Sequence, residues 1–232
     1  MKIIWLGHSG FRIEIGDQVL LVDPWLSGNP AFEAANASRH DAIADATHVL
    51  LSHGHFDHAT DAPDIAKELG VPAVGIFDLM SHWEQKHGIE VIGFNKGGTV
   101  MLGDVAVTMV NAAHSSSYHG GEGPVYAGAE AGYMITGEGR TIYFSGDTDV
   151  MADMEIFEDL HHPEIGILCA GGHFTMDMQR AAYAAKRFFN FKTVIPCHYK
   201  TFPLLAQDAE VLKAELHGVN VIEPVVMGAI EL

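Results

Sequence analysis

Directly after the apolar run THVLL (47–51), residues 52–59 read SHGHFDHA, placing three histidines and an aspartate within six residues. The chain holds 15 histidines in 232 residues, yet an H-x-H-x-D-H spacing arises by chance in roughly 1 in 250 chains of this composition. The crowding therefore calls for a chemical reason, and metal ligation supplies one. In extended chain, residues i and i+2 point to the same side, so His53 and His55 can grip one ion together. Asp57 and His58 are adjacent, so a turn is needed to send them to a second ion. Neutral imidazoles and carboxylates suit Zn²⁺, and Mn²⁺, Fe or Ni²⁺ fit the same donors because no thiolate is clearly among them.

The same arrangement recurs down the chain. His114 follows VTMVNAA, Asp147 follows TIYFSG, and His198 follows TVIPC. Each polar residue comes just after an apolar strand, where the loops that build a site emerge from a sheet. A carboxylate such as Asp147 can bridge two ions and complete a two-metal site. Strands are predicted at KIIWLG, FRIEI, QVLLVD, THVLL, VPAVGI, IEVIGF, EIGILCA, KTVIPCH and VNVIEP, with hairpins pivoting at Gly103-Asp104 and at Gly137–Gly139. Helices are predicted over DAPDIAKELG, with an Asp cap and a closing Gly70, and over LMSHWEQKHG, closed by Gly88. Two more follow, TMDMQRAAYAAKRFF capped by Thr175 and QDAEVLKAELHG closed by Gly218. The fold class is α/β (α+β), with sheets packed together and helices outside rather than one doubly wound sheet. LLSHGHFDH and YFSGDTD each follow a strand and open a polar loop, a faint sign of a duplicated unit.

A single domain over residues 1–232 is the economical reading. Lys and Arg number 13 against 30 Asp and Glu, a net charge of −17, and no basic run exists to track phosphates, so a nucleic-acid partner is excluded. No stretch has the length of a signal-peptide core or a membrane span. Cys169 and Cys197 each sit inside an apolar run and read as reduced, buried thiols of a cytoplasmic protein. A homo-oligomer is compatible with the composition.

Together, H-x-H-x-D-H at 53–58, the lone His114, Asp147 in SGDTD and His198 in PCHYKTFP resemble the metallo-β-lactamase superfamily. Within it, LGHSGFRIE, LVDPWLSGNP, GGHFTM and HYKTFP look like an uncharacterised metal-dependent hydrolase group related to L-ascorbate-6-phosphate lactonase. The resemblance implies a four-layer αββα sandwich with metals at one edge between the sheets. His53, His55 and His114 would hold the first ion, Asp57, His58 and His198 the second, with Asp147 bridging. It also places His8 and Asp23 near the site, Asp23 orienting a ligand histidine. Flavodiiron oxygen reductases carry Glu where this chain has His55, RNA-processing members carry a large insertion or basic exosite, and glyoxalase II relatives add a C-terminal helical domain. What remains is a small hydrolase.

The expected chemistry is hydrolysis by a hydroxide bridging two divalent ions and positioned by Asp57 and Asp147, acting on a small, anionic lactone or phosphoester. The anionic character is read from the metal charge and from Lys200, two residues beyond His198. His173, after two glycines in GGHFTM, is expected to face substrate, and His173, Tyr199 or water would protonate the leaving group. The competing reading is a non-catalytic, metal-stabilised binding protein, recognisable by saturated metals and no accessible pocket. His48 is expected in the core, and His82, His87, His161, His162 and His217 in solvent.

Overall fold

In the computed structural model, which describes residues 1–119, 121 and 123–232, the apolar runs form strands and the Gly, Asp and Pro breaks between them form turns. The first sheet opens as an antiparallel meander of β1 (Lys2–Gly7), β2 (Gly10–Ile15) and β3 (Gln18–Val22), then adds β4 (His48–Leu50), β5 (Ala73–Ile76) and β6 (Val91–Phe94) in parallel. The second sheet begins with the antiparallel pair β7 (Thr99–Leu102) and β8 (Val105–Asn111). A separate hairpin of β9 (Ser117–His119) and β10 (Pro124–Tyr126) intervenes. Antiparallel β11 (Ala131–Gly137) and β12 (Arg140–Phe144) follow, and β13 (Ile165–Cys169), β14 (Thr193–Cys197) and β15 (Asn220–Val221) extend the sheet in parallel. The last strand, β16 (Ala229–Glu231), returns to pair with β1. Each sheet thus runs antiparallel first and parallel afterwards, which is the duplication hinted at by LLSHGHFDH and YFSGDTD.

Parallel neighbours need crossovers, and helices supply most of them. The first half carries α1 (Pro30–Ala34), α2 (Arg39–Ile43), α3 (Phe56–Ala59), α4 (Ala62–Leu69) and α5 (Phe77–His87); the second carries α6 (Asp153–His161), α7 (Met178–Phe188) and α8 (Glu210–Glu215). Helices α4 and α5 pack on β4, β5 and β6, while α7 packs on β13 with α6 and α8 beside it. Between the sheets, the rings of Phe11 and Phe144 meet edge to face at 6.2 Å, and the Tyr133 hydroxyl of β11 donates to the Leu51 carbonyl. The result is the αββα sandwich, its core filled by inward residues such as Ile13, Leu20, Val107, Ile135 and Ile142, all without solvent exposure.

Two predicted helix caps are corrected. Asp61 precedes α4 but does not cap it: its carboxylate accepts instead from the amides of Leu26 and Ser27 and from the Ser27 hydroxyl. Helix α7 is capped by Asp177 rather than Thr175, because the Asp177 side chain accepts from the Arg180 amide at 2.8 Å. The stop signals of α4 and α5 are as read, with Gly70 and Gly88 in the left-handed region at φ 65° and 63°.

The pairing pattern also sets direction. β1 and β3 both oppose β2, and β4 parallels β3; β8 and β12 both oppose β11, and β13 and β14 parallel β12. The polar loops named above therefore all leave the carboxyl ends of strands, and these ends meet at one edge of the sandwich.

Candidate metal centre

His8 follows β1, Asp23 follows β3, residues 53–58 follow β4, and His114, Asp147 and His198 follow β8, β12 and β14. The chain must turn sharply at these ends, and His8, Asp23 and His198 do so with left-handed backbones, φ 53°, 46° and 56°. This geometry costs an L-residue on the order of 1 kcal/mol, less for Asp and His than for branched residues. The turns are pinned: across the sandwich the His198 amide donates to the His8 carbonyl at 3.0 Å, and within the first sheet the Asp23 amide donates to the Leu50 carbonyl at 2.9 Å. Gly171 presses against the same turn, where an added Cβ would stand 1.8 Å from the His198 carbonyl oxygen.

All seven predicted ligands come together, in two groups. His53, His55 and His114 form one, and Asp57, His58 and His198, joined by His8, form the other; within each, the donor atoms lie within 4.8 Å of one another. Asp147 stands between them. Its Oδ2 is 3.1 Å from His198 Nε2 and 3.3 Å from His58 Nε2, and 3.6 Å and 3.9 Å from the Nε2 atoms of His114 and His53.

A surrounding layer of polar groups aims these donors. The Ser52 amide donates to Asp23 Oδ1 at 2.7 Å and its hydroxyl to Asp23 Oδ2 at 2.5 Å. His58 Nδ1 donates to the same Oδ2 at 2.7 Å, which leaves His58 Nε2 aimed at the Asp147 carboxylate. Because the Ser52 hydroxyl is spent on Asp23, its oxygen accepts from His53 Nδ1 at 2.9 Å, and His53 Nε2 presents a lone pair. His8 bridges the Thr201 hydroxyl at 2.9 Å and Asp57 Oδ2 at 3.0 Å. Asp23 and His8 thus lie where the sequence places them. Ser52 and Thr201 are new; the only available signal was their position inside SHGHFDHA and HYKTFP.

A carboxylate buried among imidazoles needs a cation beside it, either a ring proton or a metal ion that replaces it. His58 Nε2 and Asp147 Oδ1 are buried without any hydrogen-bond partner, and among the described residues no Lys or Arg forms an ion pair with Asp23, Asp57 or Asp147. Burial alone would push His58 down, but the Asp147 and Asp23 carboxylates on either side hold it well above the ordinary imidazole range. Burial would likewise raise Asp147, but the His198 and His58 rings hold it well below the ordinary carboxylate range. Burial pushes His53, His55 and His114 down and His8 to about 4, so these rings are neutral donors at pH 7. The residues therefore fit divalent metal: imidazoles and carboxylates, no Lys or Arg among them, and at His58 a ring proton whose place an ion would take.

A cavity of about 590 Å³ opens over these donors, with His55, Asp57, His114, Asp147 and His198 on its wall. His173 is not brought into it: the residue is exposed, with φ 60°, and its ring packs edge-on at 4.4 Å against Phe174, which does line the cavity. Lys200 is a correction. Its ammonium pairs with Glu223 at 2.5 Å and lies 5.2 Å from the Tyr199 ring centroid, away from the cavity wall, so it offers no free charge to a substrate. Tyr199 is fully buried, stacked on Trp5 at 5.6 Å. His48 is half-buried at the start of β4, and His82 stacks on Tyr118 at 4.7 Å rather than standing in solvent.

Residues 18–199 match the family model described as Beta-lactamase superfamily domain, and the chain belongs to that superfamily. It is 68% identical over the full length of both chains to a UPF0173 metal-dependent hydrolase of Dinoroseobacter shibae, and 67% identical, again over all of both, to one of Paracoccus denitrificans. Within the superfamily it is a member of the UPF0173 metal-dependent hydrolases. Among solved structures, Igni18, a metallo hydrolase of the archaeon Ignicoccus hospitalis, superposes with a TM-score of 0.83 at 30% identity, covering 100% of this chain and 98% of that one.

Proposed function

We propose that the chain, one domain over residues 1–232, is a cytoplasmic hydrolase of small molecules whose centre takes two divalent ions. Zinc is the first choice, with Mn²⁺, Fe or Ni²⁺ suited to the same donors. His53, His55 and His114 would hold one ion and Asp57, His58 and His198 the other. The observation that supports this most directly is Asp147, whose Oδ2 lies 3.1–3.9 Å from imidazoles of both groups.

Bound there, such ions lower the pKa of water towards neutrality and draw charge from a substrate oxygen. The chain does the rest. Asp57, 13% exposed at its side chain, and Asp147 accept hydrogen bonds from a water at the cavity floor and hold it against the reacting carbon or phosphorus. Asp23 and Ser52 lock the rings of His58 and His53, and His8 holds Asp57 by Oδ2. With Tyr199 buried behind the site and His173 outside the cavity, solvent water at the open mouth protonates the leaving oxygen. The scissile bond is that of a lactone or phosphoester, and kinship with L-ascorbate-6-phosphate lactonase belongs to the same reading. An anionic substrate loses the support that Lys200 was expected to give. The rival, a metal-stabilised binding protein, is disfavoured by a cavity that reaches the donors directly.

Elemental analysis after dialysis should find close to two divalent ions per chain. Chelation should abolish ester hydrolysis, and added Zn²⁺ should restore it. A protein that retains no metal and takes up neither Zn²⁺ nor Mn²⁺ sinks the reading.

A further inference from the structure

The wall above the donors is made of side chains that a folded protein ordinarily hides. Phe56, Phe174 and Leu204 are 57%, 50% and 58% exposed, and with Phe202 and Pro203 they line the cavity. They come from three separate segments, after β4, β13 and β14, Phe56 at the start of α3. Large apolar groups converging from three segments on one concavity are not the scattered surface residues of any soluble chain. The wall is also braced. Phe56 packs edge-on against Trp25 at 5.6 Å, and Trp25, nearly buried, stacks on Phe202 at 6.0 Å.

Charge on the same wall is confined to the donor groups. Among the described residues no Lys or Arg lines the cavity, and Lys200 is held by Glu223 outside it. A phosphate or carboxylate on the substrate's body would be desolvated with no side-chain cation to receive it. An aryl or alkyl body would instead bury apolar surface against four ready partners. The cavity volume, about 590 Å³, is in the range that encloses a small organic molecule.

The geometry points to a neutral carboxylic ester or lactone with an aryl or branched alkyl body as the substrate class, its apolar part seated among Phe56, Phe174, Phe202 and Leu204 and its carbonyl over the donor groups. The inference rests on the hydrolytic reading above. In the reaction the water oxygen bonds to the carbonyl carbon and the bond from that carbon to the alkoxy oxygen breaks. One water proton ends on the alkoxy oxygen. The products are an acid and an alcohol, joined in one hydroxy acid when the substrate is a lactone.

The test separates binding from turnover on metal-loaded protein. Calorimetry compares three inert lactams: 5-phenylpyrrolidin-2-one, pyrrolidin-2-one and 5-oxopyrrolidine-2-carboxylate. Hydrolysis is followed with the three corresponding lactones. The phenyl lactam should bind at least about tenfold more tightly than the bare ring, and the carboxylate no better than the bare ring. The phenyl lactone should lead in kcat/KM by a similar factor. Phe174→Ser and Leu204→Ser should each erode the phenyl preference several-fold in both assays while keeping the parent's metal content. Equal binding of all three lactams, or preference for the carboxylate, overturns the inference whatever the turnover. Phenyl-selective binding with no hydrolysis of any lactone leaves the apolar site standing and removes the hydrolytic reading instead.

Discussion

Asp23 does not line the cavity, yet both of its oxygens are committed to groups that aim the candidate metal donors. Oδ1 takes the Ser52 amide, and Oδ2 takes the Ser52 hydroxyl and the His58 ring. Asp23→Ala would release His58 directly and His53 through Ser52, and it would leave a buried amide unpaired. Metal affinity should fall by about 10–100-fold, read by competition with a chromophoric chelator, with stability lower by about 1–3 kcal/mol. Parent-like affinity would remove Asp23 from this role. The candidate ligands were legible because a metal would impose residue type and spacing together, as at His53, His55, Asp57 and His58. Their hydroxyl partners were not, since Ser52 and Thr201 carry no spacing that distinguishes them from turn residues. The cavity wall was equally hidden. Phe56 and Leu204 look in sequence like any core residue, and only the folded chain reveals that they stay wet.

Helix starts show how one residue type can serve different purposes. Asp177 and Asp61 both stand before a helix, but only Asp177 turns its carboxylate onto the first turn, while Asp61 ties down the Leu26–Ser27 segment. Asp177→Ala should cost about 1 kcal/mol in urea unfolding. Thr175→Ala, at a residue whose hydroxyl donates to the Met176 carbonyl and accepts from no amide of the first turn, should be nearly neutral. The reverse order would restore Thr175 as the cap. Strands were the easiest elements to read, because runs such as TIYFSG and TVIPC are buried along their length and bounded by breakers. Helix α6 escaped because Ala152 gives it no side-chain cap. Helices α1 and α2, five residues each, are too short for periodicity to register. The β9–β10 hairpin escaped because its strands are three residues long in Gly-rich surroundings.

Across the whole molecule, the parallel pairing of β13 with β14 sets Cys169 and Cys197 opposite each other, both buried and both free. Burial pushes the Cys169 thiol up to about 11 and Cys197 well above its ordinary range. At pH 8 both are therefore protonated, and the thiolate is the reactive form. Iodoacetamide should label neither in the folded protein and both in urea, scored by intact mass; rapid labelling without denaturant would contradict the packing. One further consequence follows from the contact between His8 and Thr201, which are 193 residues apart. The centre cannot exist until the last quarter of the chain has emerged and folded back on the first strand, so during synthesis metal can be captured only at the end. Once seated between Asp57, His58 and His198, an ion would act on the polymer as a cross-link does, closing a ring of about 140 residues and raising the entropic barrier to opening it. Metal loss would then register first as faster unfolding and greater sensitivity to proteases, before any change in the shape of the folded protein.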